Sequence, residues 1–173
     1  AFHEAINIAN NQAQEGKLAT FGIVPTDANM GYGYIKSSKN NIDGAYKVEE
    51  FVEKPDLETA EKYLDQGNYL WNSGMFMFKA DTLIDELTTL SPKIISSVKT
   101  AVNNAEQDLD FIRLDKQAFE SSRSDSIDYA LMEKSDNVVV VPLDAGWSDV
   151  GSWSALYDIG AKDGSGNVLK GDV

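Results

Sequence analysis

The chain alternates short apolar runs with segments whose apolar residues recur at helical spacing. Residues 18–26 (LATFGIVPT) and 137–143 (NVVVVPL) are continuous apolar runs bounded by turn signals, which predicts strands buried on both faces. Residues 46–54 (YKVEEFVEK) alternate between apolar and polar positions, slip in phase at Glu50 and then resume, which predicts a bulged strand. We expect that strand to pair with residues 32–37 across a turn at NNIDG.

Segments with helical spacing separate these strands. Asp56 is predicted to cap a helix that ends near Gly67, a residue suited to the left-handed position after a helix. Asp81 is predicted to cap the next helix, and Ser91 with Pro92 to close it and start another. Because strands alternate with helices, we expect an α/β layered domain, in which ligands collect at the carboxyl ends of the strands.

Composition narrows the class of protein and of partner. The 173 residues are the size of one domain and include no apolar run long enough to cross a bilayer, so we expect no membrane partner. Lys and Arg number 15 against 28 Asp and Glu, and this net charge of −13 disfavours nucleic acid as a partner. An anionic substrate would therefore need a cationic group close to its binding site. The absence of cysteine excludes thiolate chemistry and is compatible with the cytoplasm.

The tripeptide Glu53-Lys54-Pro55 at the end of the bulged strand carries the first candidate chemistry. A carboxylate accepts two hydroxyl hydrogen bonds, which suits a sugar diol, and an ammonium is a compact charge that suits a phosphate. Neighbours on a strand point to opposite faces, so both side chains reach one ligand only if the strand ends or bends between them, and Pro55 supplies such an ending. The alternative is a solvated strand end with an ordinary ion pair.

Two further segments offer groups that suit a sugar. Gly31 and Gly33 in MGYGYI let the backbone approach a ligand closely, although a turn that leads into a strand explains them as well. Asn72 lies inside the apolar segment LWNSGMF, where an amide must find partners. Such an amide can both donate to and accept from a sugar hydroxyl, and the neighbouring Trp71 can cover the C–H side of the ring.

Asp149 is the candidate metal ligand. It lies in GWSDVGSW, a loop of mostly small residues just before a predicted helix. A carboxylate there can bind Mg²⁺, which takes one or two carboxylates and completes its shell with water and phosphate oxygens. It can instead cap the helix, and the residues alone favour the cap. The single histidine, His3, has no partner in sequence, so catalysis by histidine is disfavoured.

The order of the motifs is more informative than any one of them: GYG, FVEKP, WNSGMF, SIDYALMEK and GWSDVGSW. In this order the chain resembles the sugar-1-phosphate nucleotidyltransferases, and most closely the bacterial mannose-1-phosphate guanylyltransferases. The resemblance extends from about GIVPT to GDV. It implies an α/β fold of the nucleotide-diphospho-sugar transferase type, with a mixed, mainly parallel sheet flanked by helices, and it makes residues 1–173 one partial domain.

The resemblance also implies an activity and a site. The implied reaction transfers GMP from GTP to the phosphate of α-mannose 1-phosphate with Mg²⁺, which yields GDP-mannose and pyrophosphate. Lys54 and Asp149 are the implied catalytic residues. The implied contacts are Gly31, Tyr32 and Gly33 to the sugar, Glu53 and Asn72 to its hydroxyls, Lys54 to its phosphate and Asp149 to the metal.

Two segments typical of the family are absent from these 173 residues. Members begin with a strand and a G-x-G-x-R-L-W-P-type loop that holds the nucleotide phosphates, and they later carry a P-A-D-H-like segment with a second metal-binding Asp. We therefore interpret the chain as an N-terminally truncated, sugar-phosphate-binding half that is inactive alone. An exposed apolar sheet edge and core face are expected to favour a homo-oligomer. Another sugar-1-phosphate nucleotidyltransferase and a non-catalytic sugar-phosphate-binding module stay open as alternatives.

Overall fold

The computed structural model describes residues 1–171, which form a five-stranded sheet flanked by helices and a separate two-stranded hairpin. The helices are α1 (Phe2–Gln14), α2 (Leu57–Gln66), α3 (Ala80–Leu90), α4 (Pro92–Asn103), α5 (Lys116–Glu120) and α6 (Trp153–Ile159), with a π-helical turn at Asp128–Met132. The strands are β1 (Leu18–Ile23), β2 (Gly33–Ile42), β3 (Ala45–Glu53), β4 (Tyr69–Met77), β5 (Glu106–Asp108), β6 (Phe111–Arg113) and β7 (Val138–Pro142). Within residues 1–171, no helix has the length and apolar character needed to span a membrane.

The main sheet closes on itself. Its strands pair in the order β1, β4, β2, β3 and β7, and β7 pairs back with β1. The β1–β7 pair is parallel, whereas the β1–β4, β2–β4, β2–β3 and β3–β7 pairs are antiparallel. The expected α/β fold with a mixed sheet is confirmed, but the expected predominance of parallel pairing is wrong for the described residues. A tight turn at Asp43 and Gly44, with φ of 51° and 91°, joins β2 to β3 and forces them into an antiparallel hairpin.

The phase slip in β3 corresponds to a real irregularity. Lys36 of β2 lies opposite Glu50, and the next residue, Ser37, lies opposite Val48, so β3 has one extra residue at Glu49. A bulge of this kind turns the following side chains to the other face of the sheet. The predicted bulged strand and its pairing with β2 are therefore confirmed.

The central strands are buried on both faces, as predicted. All six residues of β1 and the four valines of β7 are buried. Successive side chains alternate between two apolar clusters: Leu18 and Val138 lie in one, and Ala19 and Val139 lie in the other. Ala9 of α1 belongs to the second cluster, so α1 covers that face of the sheet.

One of the two predicted aspartate caps is confirmed. Asp56 accepts a hydrogen bond from the Thr59 N–H at 2.9 Å, and Gly67 follows α2 with φ of 66°. The predicted cap at Asp81 is wrong, because α3 begins at Ala80 and Asp81 lies within its first turn. A carboxylate in the first turn still interacts favourably with the positive end of the helix dipole.

The expected exposed sheet edge is wrong for the described residues. Each strand of the closed ring has a neighbour on both sides, so none of the five presents a free edge. Exposed apolar side chains lie elsewhere, on the β5–β6 hairpin and on α6. They include Leu109, Phe111, Ile112, Trp153, Leu156 and Tyr157.

Candidate functional site

The candidate site is an open cavity of about 210 Å³ where β2 begins and β3 ends. Every site residue predicted from the sequence lines it: Gly31, Tyr32, Gly33, Glu53, Lys54, Asn72 and Asp149. Ser73, Gly74, Asp128 and Trp147 complete the lining. The candidate residues lie at the carboxyl end of β3 but at the start of β2, because antiparallel pairing places the start of β2 beside the end of β3.

A backbone bend brings Glu53 and Lys54 to the same side. β3 ends at Glu53, and Lys54 adopts the left-handed region with φ of 50°. The Lys54 N–H donates to the carbonyl of Tyr32 at 3.2 Å, which ties the bend to the entry of β2. Lys54 Nζ then lies 3.5 Å from Glu53 Oε1. The two groups can therefore meet one ligand, as the sequence hypothesis required.

The two side chains of this pair differ in exposure. The Lys54 side chain is 60% exposed, but that of Glu53 is only 12% exposed. A left-handed conformation at a residue other than glycine is strained by roughly 1–3 kcal/mol, and such strain concentrates at functional sites. An ordinary surface ion pair contributes about 0–1 kcal/mol, so the strain at Lys54 favours a role in binding, and that role stays a prediction.

The two glycines have different explanations. Gly33 lies opposite Glu53 in the β2–β3 pair, and a Cβ there would lie 2.5 Å from Glu53 Oε2 and 3.2 Å from the Cβ of Asn72. Glycine at this position is therefore required by the close approach of two site side chains. The N–H of Gly31 donates to Asn29 Oδ1 at 2.8 Å, so a local turn is sufficient to explain Gly31.

Asn72 is held by three hydrogen bonds. Its Oδ1 accepts from Thr20 Oγ1 at 3.0 Å and from the Gly74 N–H at 3.2 Å, while its Nδ2 donates to Asp128 Oδ1 at 3.2 Å. A carbonyl oxygen accepts two hydrogen bonds and an amide nitrogen donates two. One N–H of the amide therefore remains for a ligand. The single proton of the Thr20 hydroxyl is shared between Asn72 Oδ1 and the Met75 carbonyl, which lies 3.2 Å from Thr20 Oγ1, so the predicted role of Asn72 as donor and acceptor stays a prediction.

Asp128 is one of the lining residues that sequence reasoning missed. It begins the π-helical turn, and this rare conformation often marks functional sites. Glu133, just after the same turn, accepts from the Glu53 N–H at 3.0 Å, and Tyr129 Oη lies 3.5 Å from the Glu53 carbonyl. The π-helical turn therefore supports the end of β3. The available signal was the position of Asp128, Tyr129 and Glu133 on either side of the apolar residues 130–132 in the motif SIDYALMEK.

The electrostatics of the cavity are unfavourable to an anion except at Lys54. Burial raises the pKa of Glu53 above its usual value, Asp128 adds to the rise, and Lys54 opposes it. Burial also raises the pKa of Tyr32, with the charge of Asp149 the next largest cause. Three carboxylates and one ammonium line this cavity. A bound phosphate would therefore depend on Lys54 and on a cation brought with the ligand.

Asp149 is not the helix cap. The N-cap of α6 is Ser152, whose Oγ accepts from the Ala155 N–H at 3.1 Å, so the alternative favoured by the residues alone is wrong. Within residues 1–171, no cluster of three or more His, Asp or Glu side chains is placed to hold a metal ion. One carboxylate is nevertheless enough for Mg²⁺ when a phosphate and water supply the other oxygens. The donor set at Asp149 fits a cation shared with a phosphate ligand.

Aromatic rings bound one side of the cavity. Tyr32 packs edge-on against Trp147, with ring centroids 5.5 Å apart, and against Trp71 at 5.0 Å. We refer to Tyr32 and Trp147 as the aromatic wall, because both line the cavity. Such rings suit the C–H face of a sugar. Trp147 carries no prediction from the sequence.

Known proteins match this chain over its whole length. Two curated relatives are each 55% identical over 173 residues: the mannose-1-phosphate guanylyltransferase RfbM of Salmonella typhimurium and the xanthan biosynthesis protein XanB of Xanthomonas campestris. The alignments cover all of this chain but 36% and 37% of the relatives, so the chain spans about a third of their length. The resemblance inferred from the order of the motifs is therefore confirmed.

A solved structure has the same fold. The mannose-6-phosphate isomerase from Helicobacter pylori matches with a TM-score of 0.78 and 36% identity, over 86% of this chain and 58% of that one. A family model described as nucleotidyl transferase matches residues 1–166. The chain belongs to the nucleotidyl transferase family.

Proposed function

We propose that the chain is the sugar-phosphate-binding part of a mannose-1-phosphate guanylyltransferase. The whole enzyme transfers GMP from GTP to α-mannose 1-phosphate and releases GDP-mannose and pyrophosphate. The observation that supports this proposal most strongly is the pair of Glu53 and Lys54. Both side chains line one cavity because the backbone bends between them. The choice of guanine and of mannose is supported by the names of the relatives.

Each site residue contacts a different part of the ligand. The Lys54 ammonium binds the phosphate as a point charge, and the Glu53 carboxylate accepts hydrogen bonds from hexose hydroxyls. The remaining N–H of Asn72 donates to a further hydroxyl oxygen, and the aromatic wall covers the C–H face of the ring. A cavity of about 210 Å³ is smaller than the roughly 300–1,000 Å³ that drug-sized ligands occupy, which suits a single phosphorylated hexose.

The reaction needs position and charge neutralisation more than covalent help from the protein. An oxygen of the sugar phosphate attacks the α-phosphorus of GTP, the bond to the β-phosphate oxygen breaks, and pyrophosphate leaves. This chain holds the attacking phosphate and reduces its repulsion through Lys54. Mg²⁺, when bound at Asp149, supplies further neutralisation of the phosphate charges. We include in the proposal that the enzyme works in the cytoplasm as a homo-oligomer.

Calorimetric titrations test the ligand class. We expect the 173-residue chain to bind mannose 1-phosphate, to bind glucose 1-phosphate more weakly, and to show a smaller response to mannose without its phosphate. Tighter binding of glucose 1-phosphate would favour another sugar-1-phosphate nucleotidyltransferase. Failure to bind any sugar phosphate would contradict the proposal.

An activity assay tests the assignment to part of an enzyme. The chain alone, with GTP, mannose 1-phosphate and Mg²⁺, is expected to form no GDP-mannose, because no described residue is assigned to the nucleotide. The full-length relative RfbM, assayed in parallel, serves as the positive control. In a full-length protein that contains this sequence, loss of turnover on Lys54→Ala would support the enzyme over a non-catalytic binding module.

A further inference from the structure

The backbone of Glu53 has hydrogen-bonding groups that the sheet itself does not satisfy. Hydrogen-bonded and non-hydrogen-bonded pairs alternate along an antiparallel ladder, and the Lys54 N–H donates to the carbonyl of Tyr32. The neighbouring pair, Glu53 with Gly33, is therefore the kind whose N–H and carbonyl groups point away from the partner strand. The described pairs between β3 and β7 lie at the start of β3, so no strand within residues 1–171 meets these two groups of Glu53.

The π-helical turn at Asp128–Met132 and the residue after it occupy this side of β3. Glu133 Oε1 accepts from the Glu53 N–H at 3.0 Å, and Tyr129 Oη lies 3.5 Å from the Glu53 carbonyl. A carboxylate forms a stronger hydrogen bond with a backbone N–H than a neutral acceptor does, whereas 3.5 Å is long for a hydroxyl donor. Glu133 is therefore the principal support of Glu53 on the side where a strand is missing.

The peptide that Glu133 holds directly precedes the strained residue of the site. Lys54 has φ of 50°, a conformation that costs free energy for a residue with a side chain and persists only where its surroundings hold it. The Lys54 N–H bond to Tyr32 holds the bend on one side, and the Glu53 N–H bond to Glu133 holds it on the other. Glu133 does not line the cavity, so it can affect a ligand only through its neighbours or through its charge.

We propose that Glu133 is a positioning residue for sugar-phosphate binding. Its carboxylate fixes the Glu53 peptide and thereby keeps Lys54 in the left-handed conformation that places its ammonium at the cavity. The inference rests on the proposed function for the identity of the ligand, but the hold of Glu133 on the bend does not depend on any ligand. The same turn supplies Asp128 to Asn72, so one element positions site residues on both β3 and β4.

Amide hydrogen exchange, followed by NMR on the 173-residue chain, tests the hold on the bend without a ligand. Glu133→Ala is expected to speed exchange of the Glu53 and Lys54 amides about three- to tenfold, because local opening then breaks one hydrogen bond fewer. Glu133→Gln keeps a carbonyl oxygen in reach of the Glu53 N–H and should retain most of the protection. The Val140 amide in the buried strand β7 is the internal reference for global unfolding.

Glu61→Ala is the matched control for the exchange measurement. It also removes a glutamate side chain from an exposed position, on α2, and should leave the two amides unchanged. Unchanged exchange at Glu53 in Glu133→Ala would overturn the inference, because water would then replace the carboxylate without consequence for the bend.

Calorimetry with mannose 1-phosphate tests the consequence for binding. Glu133→Ala is expected to weaken binding about three- to tenfold, and Glu133→Gln to recover most of the affinity. In a chain that already carries Lys54→Ala, Glu133→Ala should add a loss of about twofold or less, because a residue that acts through Lys54 then has no ammonium to position. Losses that multiply in the double variant would overturn the assignment, since independent residues behave in that way.

The glutamine variant separates position from charge. Burial is the main cause of the raised pKa of Glu53, and the charge of Glu133 is the smallest contribution to it. Glu133→Gln removes that charge and keeps the acceptor. Equal losses of affinity in Glu133→Ala and Glu133→Gln would therefore overturn the inference, because the charge rather than the hydrogen bond would control binding.

The two measurements together distinguish this inference from the proposed function. If the chain binds no sugar phosphate but Glu133→Ala still speeds exchange at Glu53 and Lys54, the proposed function fails and the role of Glu133 in holding the bend is supported. If the chain binds mannose 1-phosphate and Glu133→Ala changes neither exchange nor affinity, the proposed function is supported and the inference is overturned.

Discussion

The aromatic wall borders two cavities of similar size: the first is the candidate site of about 210 Å³, and the second, of about 260 Å³, is also lined by Asp27, Trp71 and Asp158. They differ in whether a cationic side chain is present. The first is lined by three carboxylates and by the ammonium of Lys54, whereas the second is lined by Asp27 and Asp158 without a cationic side chain among the described residues. In a chain with a net charge of −13, an anion needs a local cation to overcome general repulsion. The comparison teaches that the bend at Lys54 places an ammonium beside the first cavity, and that the second cavity has no such group among its described lining residues.

Removal of the ammonium is expected to have the largest effect. Lys54→Ala gives the first cavity the charge character of the second, so affinity for mannose 1-phosphate should fall about 10- to 100-fold, the range for losing a hydrogen bond to a charged group. Calorimetry measures the change. Lys62→Ala, which removes a lysine from the surface of α2, is the matched control and should leave affinity unchanged. Equal losses in the two variants would contradict a specific role for Lys54.

A methyl group at Gly33 is expected to have the next largest effect. Its Cβ would collide with Glu53 Oε2, so the carboxylate must move, and affinity for mannose 1-phosphate should fall about tenfold.

Gly31→Ala is the matched control for this change. The nearest atom to its added Cβ is Asn29 Oδ1 at 3.0 Å, and no hexose-binding side chain is displaced. We expect a smaller loss than for Gly33→Ala, measured in the same titration. A larger loss at Gly31 would mean that the backbone there, rather than the approach of Glu53 to Gly33, limits binding.

Asp128 is expected to act through Asn72. Asp128→Ala leaves the Asn72 Nδ2 donor without its partner, which should lower the free energy of unfolding by about 1–3 kcal/mol and weaken sugar-phosphate binding a few-fold. Asp128→Asn offers an amide oxygen to the same donor and should recover most of both losses. Denaturant unfolding and calorimetry measure the two effects. If Asp128→Asn recovered neither stability nor affinity, the charge of Asp128 rather than its hydrogen bond to Asn72 would be responsible for both losses.

The pH dependence of stability is expected to give the smallest effect. Burial and Asp128 raise the pKa of Glu53 in the folded chain, so the folded state binds this proton more tightly than the unfolded state does. The associated stabilisation is present below the usual carboxyl pKa of 4.5 and is lost as the pH rises through the raised value. Glu53→Gln should therefore raise the thermal midpoint at pH 7, and the gain should vanish in acid.

Glu61→Gln is the control for this pH profile. Glu61 is exposed on α2, so its substitution removes one negative charge from the surface without changing the cavity. A gain at pH 7 of the same size in both variants would show that net charge, and not the burial of Glu53, determines the profile.

Local features of the fold were accessible from the sequence. The buried strands, the cap at Asp56 and the bulge near Glu50 follow from apolar runs, capping preferences and a break in alternation over a few residues. The set of site residues followed from the order of the motifs. The structure gathers them in one cavity, while their roles stay predictions.

Features that depend on distant residues were not accessible. Antiparallel closure of the ring depends on pairing between strands far apart in sequence, such as β3 with β7. The choice of Ser152 over Asp149 as the cap of α6 depends on where the helix begins, and sequence patterns locate helix ends only to within a few residues. The contact of Asp128 with Asn72 joins a π-helical turn to a strand, and nothing in the local pattern specifies it.

The central claim is that Glu53 and Lys54 bind opposite ends of one phosphorylated hexose. The most direct measurement is a crystal structure of the chain with mannose 1-phosphate. We expect a phosphate oxygen at hydrogen-bond distance, about 2.7–3.2 Å, from Lys54 Nζ and a hexose hydroxyl at similar distance from a Glu53 carboxylate oxygen. A phosphate bound away from Lys54, or a hexose ring outside the cavity that contains Glu53, would contradict the claim.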